Sequence, residues 1–252
     1  MSGRRALLTG PDSRALAELL VGRGWQVRAV PTVAIRPAPT GPLDAALRQV
    51  ERYDWIVLTS RHGARVVADR LRALGLPRPQ RPRWAAVGPA TERPLVDAGL
   101  GPVVRPPRAL TAAVADVLGD VAGRRVLLPR SDQASVLLPA VLRERGARVD
   151  EVVAYLTVEG PEESRLPLRR ALEGGVDVVV FTSGSTVRGF ARLADDVRVR
   201  LAGVAVACIG PVTAEVARAL GMSPTVIAEE HTAAGVAAAL EEGPHASASS
   251  HI

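Results

Sequence analysis

The sequence repeats itself, because four segments of its first half recur in the same order in its second half. The recurring pairs lie 120 to 123 residues apart, and they are 5–9 with 125–129, 23–27 with 145–149, 54–60 with 177–183, and 86–91 with 208–213. Ordered matches at a nearly constant offset indicate an internal duplication. We therefore expect the 252 residues to form two homologous halves, each of the size of an ordinary domain.

Each half alternates short apolar segments with helical patterns. The segments 55–58 and 178–181 are apolar throughout, which is typical of parallel strands buried on both faces. Apolar stripes of helical spacing lie between such segments, and several end at a glycine, as at Gly75 and Gly221. The pattern predicts an α/β fold of doubly wound, flavodoxin-like parallel sheets, with ten strands divided five and five.

Composition excludes several classes of protein. Aromatic residues make up only 3% of the chain, which argues against the base-stacking surfaces of single-strand nucleic-acid binders. The single cysteine, Cys208, excludes an internal disulfide framework and a cysteine-based zinc site. No segment approaches the roughly 20 apolar residues of a membrane span, and the first residues do not resemble a secretory signal. We therefore expect a soluble cytoplasmic protein.

The basic residues are all arginines, because the sequence contains no lysine, and the net charge is +6. One interpretation is a codon bias towards Arg, Ala and Gly. The other is that some of the arginines bind a polyanion, since a guanidinium pairs with carboxylate or phosphate through two parallel hydrogen bonds. Both interpretations can hold at once.

Hydroxyl-bearing residues follow predicted strands in both halves, where the next helices begin. Each could serve only as a helix N-cap. However, helix N-termini favour anions, and ligands of open parallel sheets bind at the carboxyl ends of the strands. The set therefore predicts an anion-binding cleft. Its candidate residues are Ser60, Arg61, Thr91, Ser183, Ser185, Thr213 and Thr232.

The familiar cofactor signatures are missing from the sequence. It has no dinucleotide-binding glycine pattern, no phosphate-binding P-loop and no nucleophile elbow. Its histidines are His62, His231, His245 and His251, and the last two lie in a low-complexity tail, 244–252, that we expect to be disordered. We therefore expect no cofactor and no metal.

Tyr155 is the most distinctive candidate for catalysis. It is one of only two tyrosines, and it lies in the segment 152–157 at a junction of the duplicated units. Its phenol could donate a proton, or its ring could pack while its hydroxyl stays in water. His62 and His231 also have two interpretations. Each could be an acid–base group, or each could be a solvated polar residue of a loop.

Five motifs carry a family resemblance. They are Asp-x-(apolar)3-Thr-Ser at 54–60 and at 177–183, Val-x-x-Tyr-x-Thr at 152–157, Ile-Gly-Pro-x-Thr-Ala at 209–214, and His-Thr-x-x-Gly at 231–235. In this order the motifs resemble the uroporphyrinogen-III synthase family, over about residues 4–240.

The resemblance implies a domain arrangement that periodicity does not give. A tandem duplication would place the domains near 1–121 and 122–243. The family is instead interlaced, which implies one domain from 1–32 plus 158–243 and another from 37–153. Two extended crossings, 33–36 and 154–157, would join them.

The resemblance also implies an activity, the cyclisation of hydroxymethylbilane to uroporphyrinogen III with inversion of the last ring and loss of water. It implies that Tyr155 is the general acid and that the arginine after the strand 125–129, Arg130, is a substrate contact. It implies no cofactor or metal. A transient contact with the enzyme that forms the labile hydroxymethylbilane is a further expectation.

Two other classes of function stay open from the sequence. A non-catalytic, two-lobed binding protein for an anionic small molecule would share the two-domain form. A nucleic-acid-associated protein is suggested by the isoelectric point of about 10.9. Its expected marks, an arginine-dense recognition helix with interleaved aromatic residues, are absent from the sequence.

Overall fold

A computed structural model describes residues 3–107 and 111–243, with only the backbone at positions 111, 112 and 198. The chain divides into two compact units, one of Arg36–Thr157 and one of Met1–Ile35 with Val158–Ile252. The tail 244–252, which we expected to be disordered, lies outside the described residues with its two histidines.

Strands and helices alternate along the described chain as the sequence predicted. The strands there are β1 (Arg5–Leu8), β2 (Gln26–Ala29), β3 (Val33–Pro37), β4 (Trp55–Leu58), β5 (Arg83–Ala86), β6 (Val103–Val104), β7 (Arg125–Ser131), β8 (Arg148–Glu159), β9 (Val178–Phe181), β10 (Ala205–Cys208) and β11 (Val226–Ile227). The helices there are α1 (Arg14–Val21), α2 (Thr40–Arg48), α3 (Arg61–Ala73), α4 (Pro89–Asp97), α5 (Thr111–Val117), α6 (Leu137–Glu144), α7 (Arg165–Glu173), α8 (Gly184–Leu193), α9 (Val197–Arg200), α10 (Pro211–Ala219) and α11 (Ala233–Glu242).

The two sheets share one strand order. The first runs β2-β1-β9-β10-β11, with all neighbouring pairs parallel. The second runs β8-β7-β4-β5-β6, with β3 added beside β8. Each thus repeats the doubly wound order 2-1-3-4-5, so the predicted α/β fold class is confirmed. In the first sheet, the first strand of the chain, β1, pairs with β9 from its last third, and a tandem arrangement would lack this pairing.

The strand count differs from the ten that the sequence predicted. The described residues contain eleven strands, five in one sheet and six in the other. The additional strand is β3, which covers the predicted crossing 33–36 and lies beside β8, the strand that covers the crossing 154–157. Both crossings are therefore extended, and hydrogen bonding in a sheet makes them strands.

Strand β9 shows why the apolar segments have no polar alternation. Val179 and Phe181 pack on one face of the sheet against helices α7, α8 and α10. Val178 and Val180 pack on the other face against α1 and α11. Because helices cover both faces, every side chain of the strand is buried.

The aspartate that precedes the central strand has the same structural role in both units. Asp54 accepts a hydrogen bond from the backbone N–H of Arg125 at 2.9 Å, and Asp177 accepts one from the backbone N–H of Arg5 at 2.6 Å. These hydrogen bonds are the main reason that the pKa of each carboxyl group lies below its ordinary value. The repeated Asp of the motif therefore forms a hydrogen bond with the first residue of the neighbouring strand, β7 in one unit and β1 in the other.

We expect Asp54→Asn to lower the free energy of unfolding near pH 7 by roughly 1 kcal/mol. The pKa of Asp54 is lowered in the folded state, so the carboxylate stabilises the fold above the unfolded pKa. That contribution is lost as the pH falls through the folded pKa. Thermal melts of both proteins between about pH 2 and pH 7 measure the difference. The two melting temperatures should converge at the acid end, and a difference that does not change with pH would contradict this role.

Candidate functional site

The carboxyl ends of two adjacent strands mark the candidate site in each sheet. The winding direction reverses between β1 and β9 in one sheet and between β7 and β4 in the other. Ligands of open α/β sheets bind outside the carboxyl ends of the strands at such a reversal. Ser60 follows β4 and Ser183 follows β9, so both sequence-predicted serines lie at a reversal point.

At the reversal point of the unit 36–157, two candidate residues meet. The hydroxyl of Tyr155 donates a hydrogen bond to Ser60 Oγ at 2.8 Å. Ser60 is the N-cap of α3, and its Oγ also accepts a hydrogen bond from the backbone N–H of Gly63 at 2.9 Å. The cap holds the serine hydroxyl in place, and the serine in turn orients the phenol.

An irregularity in strand pairing places Tyr155. Along β7 and β8, Arg130 pairs with Val153, but the next residue, Ser131, pairs with Tyr155. Ala154 is therefore an extra residue in β8, immediately before the tyrosine. Bulges of this kind bend a strand and re-aim the side chains next to functional sites. The bulge at Ala154 lies directly before Tyr155, whose hydroxyl is hydrogen-bonded to Ser60.

The surroundings of Tyr155 keep its phenol protonated. The residue is only 7% exposed, and this burial is the main cause that raises its pKa above the ordinary value. The negative charge of Asp132 raises the pKa further, whereas the hydrogen bond with Ser60 and the positive charge of Arg130 lower it. A buried and protonated phenol can donate a proton at neutral pH. The ring of His62 lies beside it, tilted by 55° with 6.0 Å between ring centroids.

Arg61 is adjacent to this pair in the sequence, whereas Arg130 lies on β7, where it pairs with Val153 of β8. Arg61 is the first residue of α3, directly after Ser60. Arg130 forms an ion pair with Glu151 at 2.6 Å and donates a hydrogen bond to the backbone carbonyl of Ser135, and its side chain is 11% exposed. The Arg130 guanidinium is thus engaged within the protein, and its charge acts on Tyr155. Its contact with substrate stays a prediction.

At the reversal point of the other unit, two serine hydroxyls meet instead. Ser183 Oγ and Ser185 Oγ are 2.8 Å apart. Ser183 is the N-cap of α8, where it and Thr186 cap each other's backbone N–H groups. Thr232 caps α11 in the same unit by accepting a hydrogen bond from the N–H of Gly235 at 3.0 Å. The duplicated frameworks therefore hold different side chains at equivalent places.

Thr91 and Thr213 differ from these caps. Each is the third residue of a helix that begins with proline after a glycine N-cap, α4 for Thr91 and α10 for Thr213. They are only 4% and 5% exposed. Proline has no backbone N–H, so the first N–H groups that these helices present are those of Ala90 and Val212, directly before the buried threonines.

A close contact that the sequence did not indicate lies at the start of α10. The ring of His231 lies against Gly210, and a Cβ atom at position 210 would lie 2.5 Å from His231 Nε2. Glycine at position 210 is therefore required by the approach of the ring. The glycine of the motif Gly-Pro-x-Thr could mark such a close approach. However, nothing local in the sequence connects this glycine with a histidine 21 residues later.

Three further features concern metal binding, the thiol of Cys208 and the membrane. Within residues 3–107 and 111–243, no group of three or more His, Cys, Asp or Glu side chains could hold a metal ion. Burial raises the pKa of Cys208 to about 12, so that thiol stays protonated. None of the helices in the described chain combines the length and apolar character that crossing a membrane requires.

Comparison with protein families adds a family match. The family model described as "Uroporphyrinogen-III synthase HemD" matches residues 14–238. The uroporphyrinogen-III synthase of Synechococcus elongatus is 31% identical over 249 residues, covering 92% of this chain and 91% of that protein. The putative uroporphyrinogen-III synthase of Methanothermobacter thermautotrophicus is 29% identical over 245 residues, covering 92% and 96%.

Two solved structures share the fold. A mutant uroporphyrinogen III synthase of Thermus thermophilus has a TM-score of 0.67 at 23% identity, covering 95% of this chain and 97% of that one. The uroporphyrinogen-III synthetase of Helicobacter pylori has a TM-score of 0.62 at 14% identity, covering 95% and 99%.

Proposed function

The chain belongs to the uroporphyrinogen-III synthase family, and from this premise we propose that it closes hydroxymethylbilane into uroporphyrinogen III, with inversion of the last pyrrole ring and loss of water. It is an enzyme of tetrapyrrole biosynthesis, and a non-catalytic binding role is not favoured. The observation that carries the mechanism is the hydrogen bond of Tyr155 to Ser60 at the reversal point of one sheet.

Tyr155 is proposed as the source of the proton for the leaving hydroxyl. Hydroxide is a poor leaving group, so breaking the C–O bond of the substrate requires a proton on its oxygen. A tyrosine phenol is protonated at neutral pH because its ordinary pKa is about 10, and burial raises the pKa of Tyr155 further. One hydrogen bond orients its hydroxyl. The cation left on the substrate, an azafulvene, then reacts with the far end of the chain. Positioning of the flexible bilane supplies much of the remaining rate increase.

Binding of the substrate is proposed to rely on helix N-termini. Hydroxymethylbilane is a polycarboxylate, and the capped ends of α3, α8 and α11 supply backbone N–H groups with the positive end of the helix dipole. Ser60, Arg61, Thr91 and Arg130 are the proposed contacts in one unit. Those in the other unit are Ser183, Ser185, Thr213 and Thr232.

We expect Thr91→Ala, Thr213→Ala and Thr232→Ala to raise KM by less than roughly 10-fold and to change kcat little. The backbone N–H groups that bind the carboxylates survive each substitution, so only a side-chain contribution of about 1 kcal/mol is at stake. Initial rates over a range of substrate concentrations give both constants, and thermal melts serve as the folding control. A loss of more than about 100-fold in kcat for any of them would assign that hydroxyl a part in the chemistry.

The reaction itself is tested by the isomer that forms. Without inversion, hydroxymethylbilane closes to uroporphyrinogen I, so the ratio of isomers III and I reports the activity. The assay uses freshly generated hydroxymethylbilane with separation of the oxidised products. Isomer III should dominate in the presence of the protein, and isomer I alone would overturn the proposed function.

The lability of hydroxymethylbilane also motivates a proposed partner and location. A transient contact with the enzyme that forms it would shorten the exposure of the substrate to water. The cytoplasm is the proposed location, in line with the bacterial and archaeal relatives.

A further inference from the structure

We propose that Ser60 carries the catalytic proton, passing it from Tyr155 to the leaving hydroxyl group of the substrate. In this arrangement Ser60 Oγ is the atom that donates to the substrate, and Tyr155 replaces the proton that Ser60 gives up. The proposal rests on the proposed function, because it assigns the last step of proton delivery in the same reaction.

Exposure is the first reason to place Ser60 between the phenol and the substrate. Tyr155 is buried, whereas Ser60 is only partly buried. The phenol proton points at Ser60 Oγ, 2.8 Å away. For Tyr155 to protonate a substrate directly, its hydroxyl would have to give up this hydrogen bond. Donation through Ser60 keeps the hydrogen bond in place.

The hydrogen bonds of Ser60 leave its own proton available for transfer. A serine hydroxyl has one proton to donate and two lone pairs to accept with. The N–H of Gly63 and the hydroxyl of Tyr155 occupy both lone pairs. The serine proton therefore points away from both partners. This is the polarity that a relay from Tyr155 outward requires.

The other half of the duplication supplies an internal comparison. The serine equivalent to Ser60 is Ser183, and its hydroxyl meets Ser185 rather than a tyrosine. At the repeat offsets of 120 to 123, position 155 corresponds to one of the residues Thr32 to Ile35, and none of these is a tyrosine. Both serines cap a helix, but only Ser60 has a phenol behind it. Capping therefore explains the serine at both places, whereas the tyrosine at one place needs a further explanation.

Glycine at position 63 keeps room for the pair. A Cβ atom there would lie 3.1 Å from Ser60 Oγ and 3.6 Å from Tyr155 Cε1, with the carbonyl oxygen of Pro129 at 3.3 Å. Alanine at this position would therefore crowd the serine hydroxyl and the carbonyl oxygen of Pro129, while its contact with the ring of the tyrosine would be an ordinary van der Waals contact. Glycine at position 63 thus leaves the serine hydroxyl uncrowded where it accepts the hydrogen bond of the phenol.

Atoms and electrons balance in the proposed step. The C–O bond of the hydroxymethyl group breaks and its electron pair leaves with the oxygen, which takes the proton of Ser60 and departs as water. Ser60 takes the proton of Tyr155 at the same time, so the products are water, a substrate azafulvene cation and a tyrosine phenolate. The nearby charge of Arg130 favours the phenolate. When the macrocycle closes, the attacking pyrrole loses a proton, and this proton returns to the phenolate through Ser60.

The test compares Ser60→Gly, Ser60→Thr and Tyr155→Phe in single-turnover reactions with freshly generated hydroxymethylbilane. Glycine is a tolerated N-cap, so Ser60→Gly removes the hydroxyl with little damage to α3. We expect Ser60→Gly to lower the rate of water loss at saturating substrate roughly 10- to 100-fold, with a smaller change in the substrate concentration that gives half of that rate. Ser60→Thr keeps a hydroxyl at the cap and should recover most of the rate. Thermal melts establish that each variant is folded, and Ser60→Thr keeps the test usable if Ser60→Gly is not.

Rates in mixtures of H2O and D2O separate a relay from simple positioning of the tyrosine. A relay moves two protons in one step, so the rate should curve with the deuterium fraction in the unsubstituted enzyme and in Ser60→Thr. A linear dependence in the unsubstituted enzyme, or a Ser60→Gly variant at the full rate, would overturn the relay while leaving Tyr155 as the acid. Full activity of Tyr155→Phe would instead overturn the proposed role of Tyr155, and the relay with it.

Discussion

Tyr155→Phe is expected to lower kcat about 100-fold while leaving the fold and the affinity for substrate nearly intact. General-acid catalysis typically contributes about 100- to 10,000-fold. The lower end is expected here because water can partly replace the lost donor. The phenyl ring retains the packing of the buried tyrosine, so the loss falls on kcat and KM stays nearly constant. Steady-state rates and the ratio of isomers III and I measure the effect.

The second tyrosine of the chain provides a matched control. Tyr53 is also buried, and its hydroxyl is hydrogen-bonded to a side chain, that of Asp150, with its pKa raised to about 12. Tyr53→Phe therefore removes a buried hydroxyl at the opposite end of β4 from Ser60, because Tyr53 precedes this strand and Ser60 follows it. It should cost about 1 kcal/mol of stability at most and leave turnover unchanged. Equal rates for Tyr155→Phe and Tyr53→Phe would show that Tyr155 is not the acid.

Gly189→Ala is expected to lower the free energy of unfolding by about 3 kcal/mol or more. Gly189 lies inside α8, where alanine would ordinarily stabilise the helix by up to about 1 kcal/mol. Here a Cβ atom would overlap the carbonyl oxygen of Thr32 and would lie 3.0 Å from the backbone nitrogen of Gly160. These two atoms form a hydrogen bond of 2.9 Å with each other, so neither can move away at small cost. Chemical denaturation followed by circular dichroism measures the loss.

Gly41→Ala is the control for this substitution. Gly41 lies in the first turn of α2, and a Cβ atom there would meet nothing within 4 Å. The same change should be neutral or stabilising by a few tenths of a kcal/mol. The comparison also tests the interlaced fold, because Thr32 comes from the first strands of the chain and Gly189 from its last third. A Gly189→Ala protein as stable as Gly41→Ala would contradict that packing.

The fold class could be predicted from the sequence because its determinants are local and are repeated. The apolar run of 178–181 and the helix ends at glycine each carry their own signal. The strand order could not be derived from them. Whether β1 pairs with β4 or with β9 is decided by packing over long separations in the chain, and both strands present similar apolar surfaces. Only the family resemblance indicated the interlaced arrangement.

The candidate site was predictable only where its residues depend on near neighbours in the sequence. Ser60, Ser183 and Thr232 are N-caps in the structure, and a cap depends on neighbouring residues only. The contact of Tyr155 with Ser60 joins residues 95 positions apart, and it depends on an extra residue in β8 that no local pattern marks. Glu159 was also missed. Its carboxylate is 1% exposed and is paired with Arg188 and Arg192 of α8, a buried charge that becomes visible only once the strand lies beside the helix.

The most direct test of the account replaces the leaving group of the substrate. In a bilane whose hydroxyl group is replaced by an ester, the leaving group is the carboxylate of that ester. It departs without being protonated, so a general acid is no longer needed. Turnover of this substrate by Tyr155→Phe should match turnover by the unsubstituted enzyme, after subtraction of the rate without enzyme. With hydroxymethylbilane itself, the same two proteins should differ about 100-fold. If Tyr155→Phe remains about 100-fold slower with the ester as well, then delivery of a proton to the leaving oxygen is not what Tyr155 contributes.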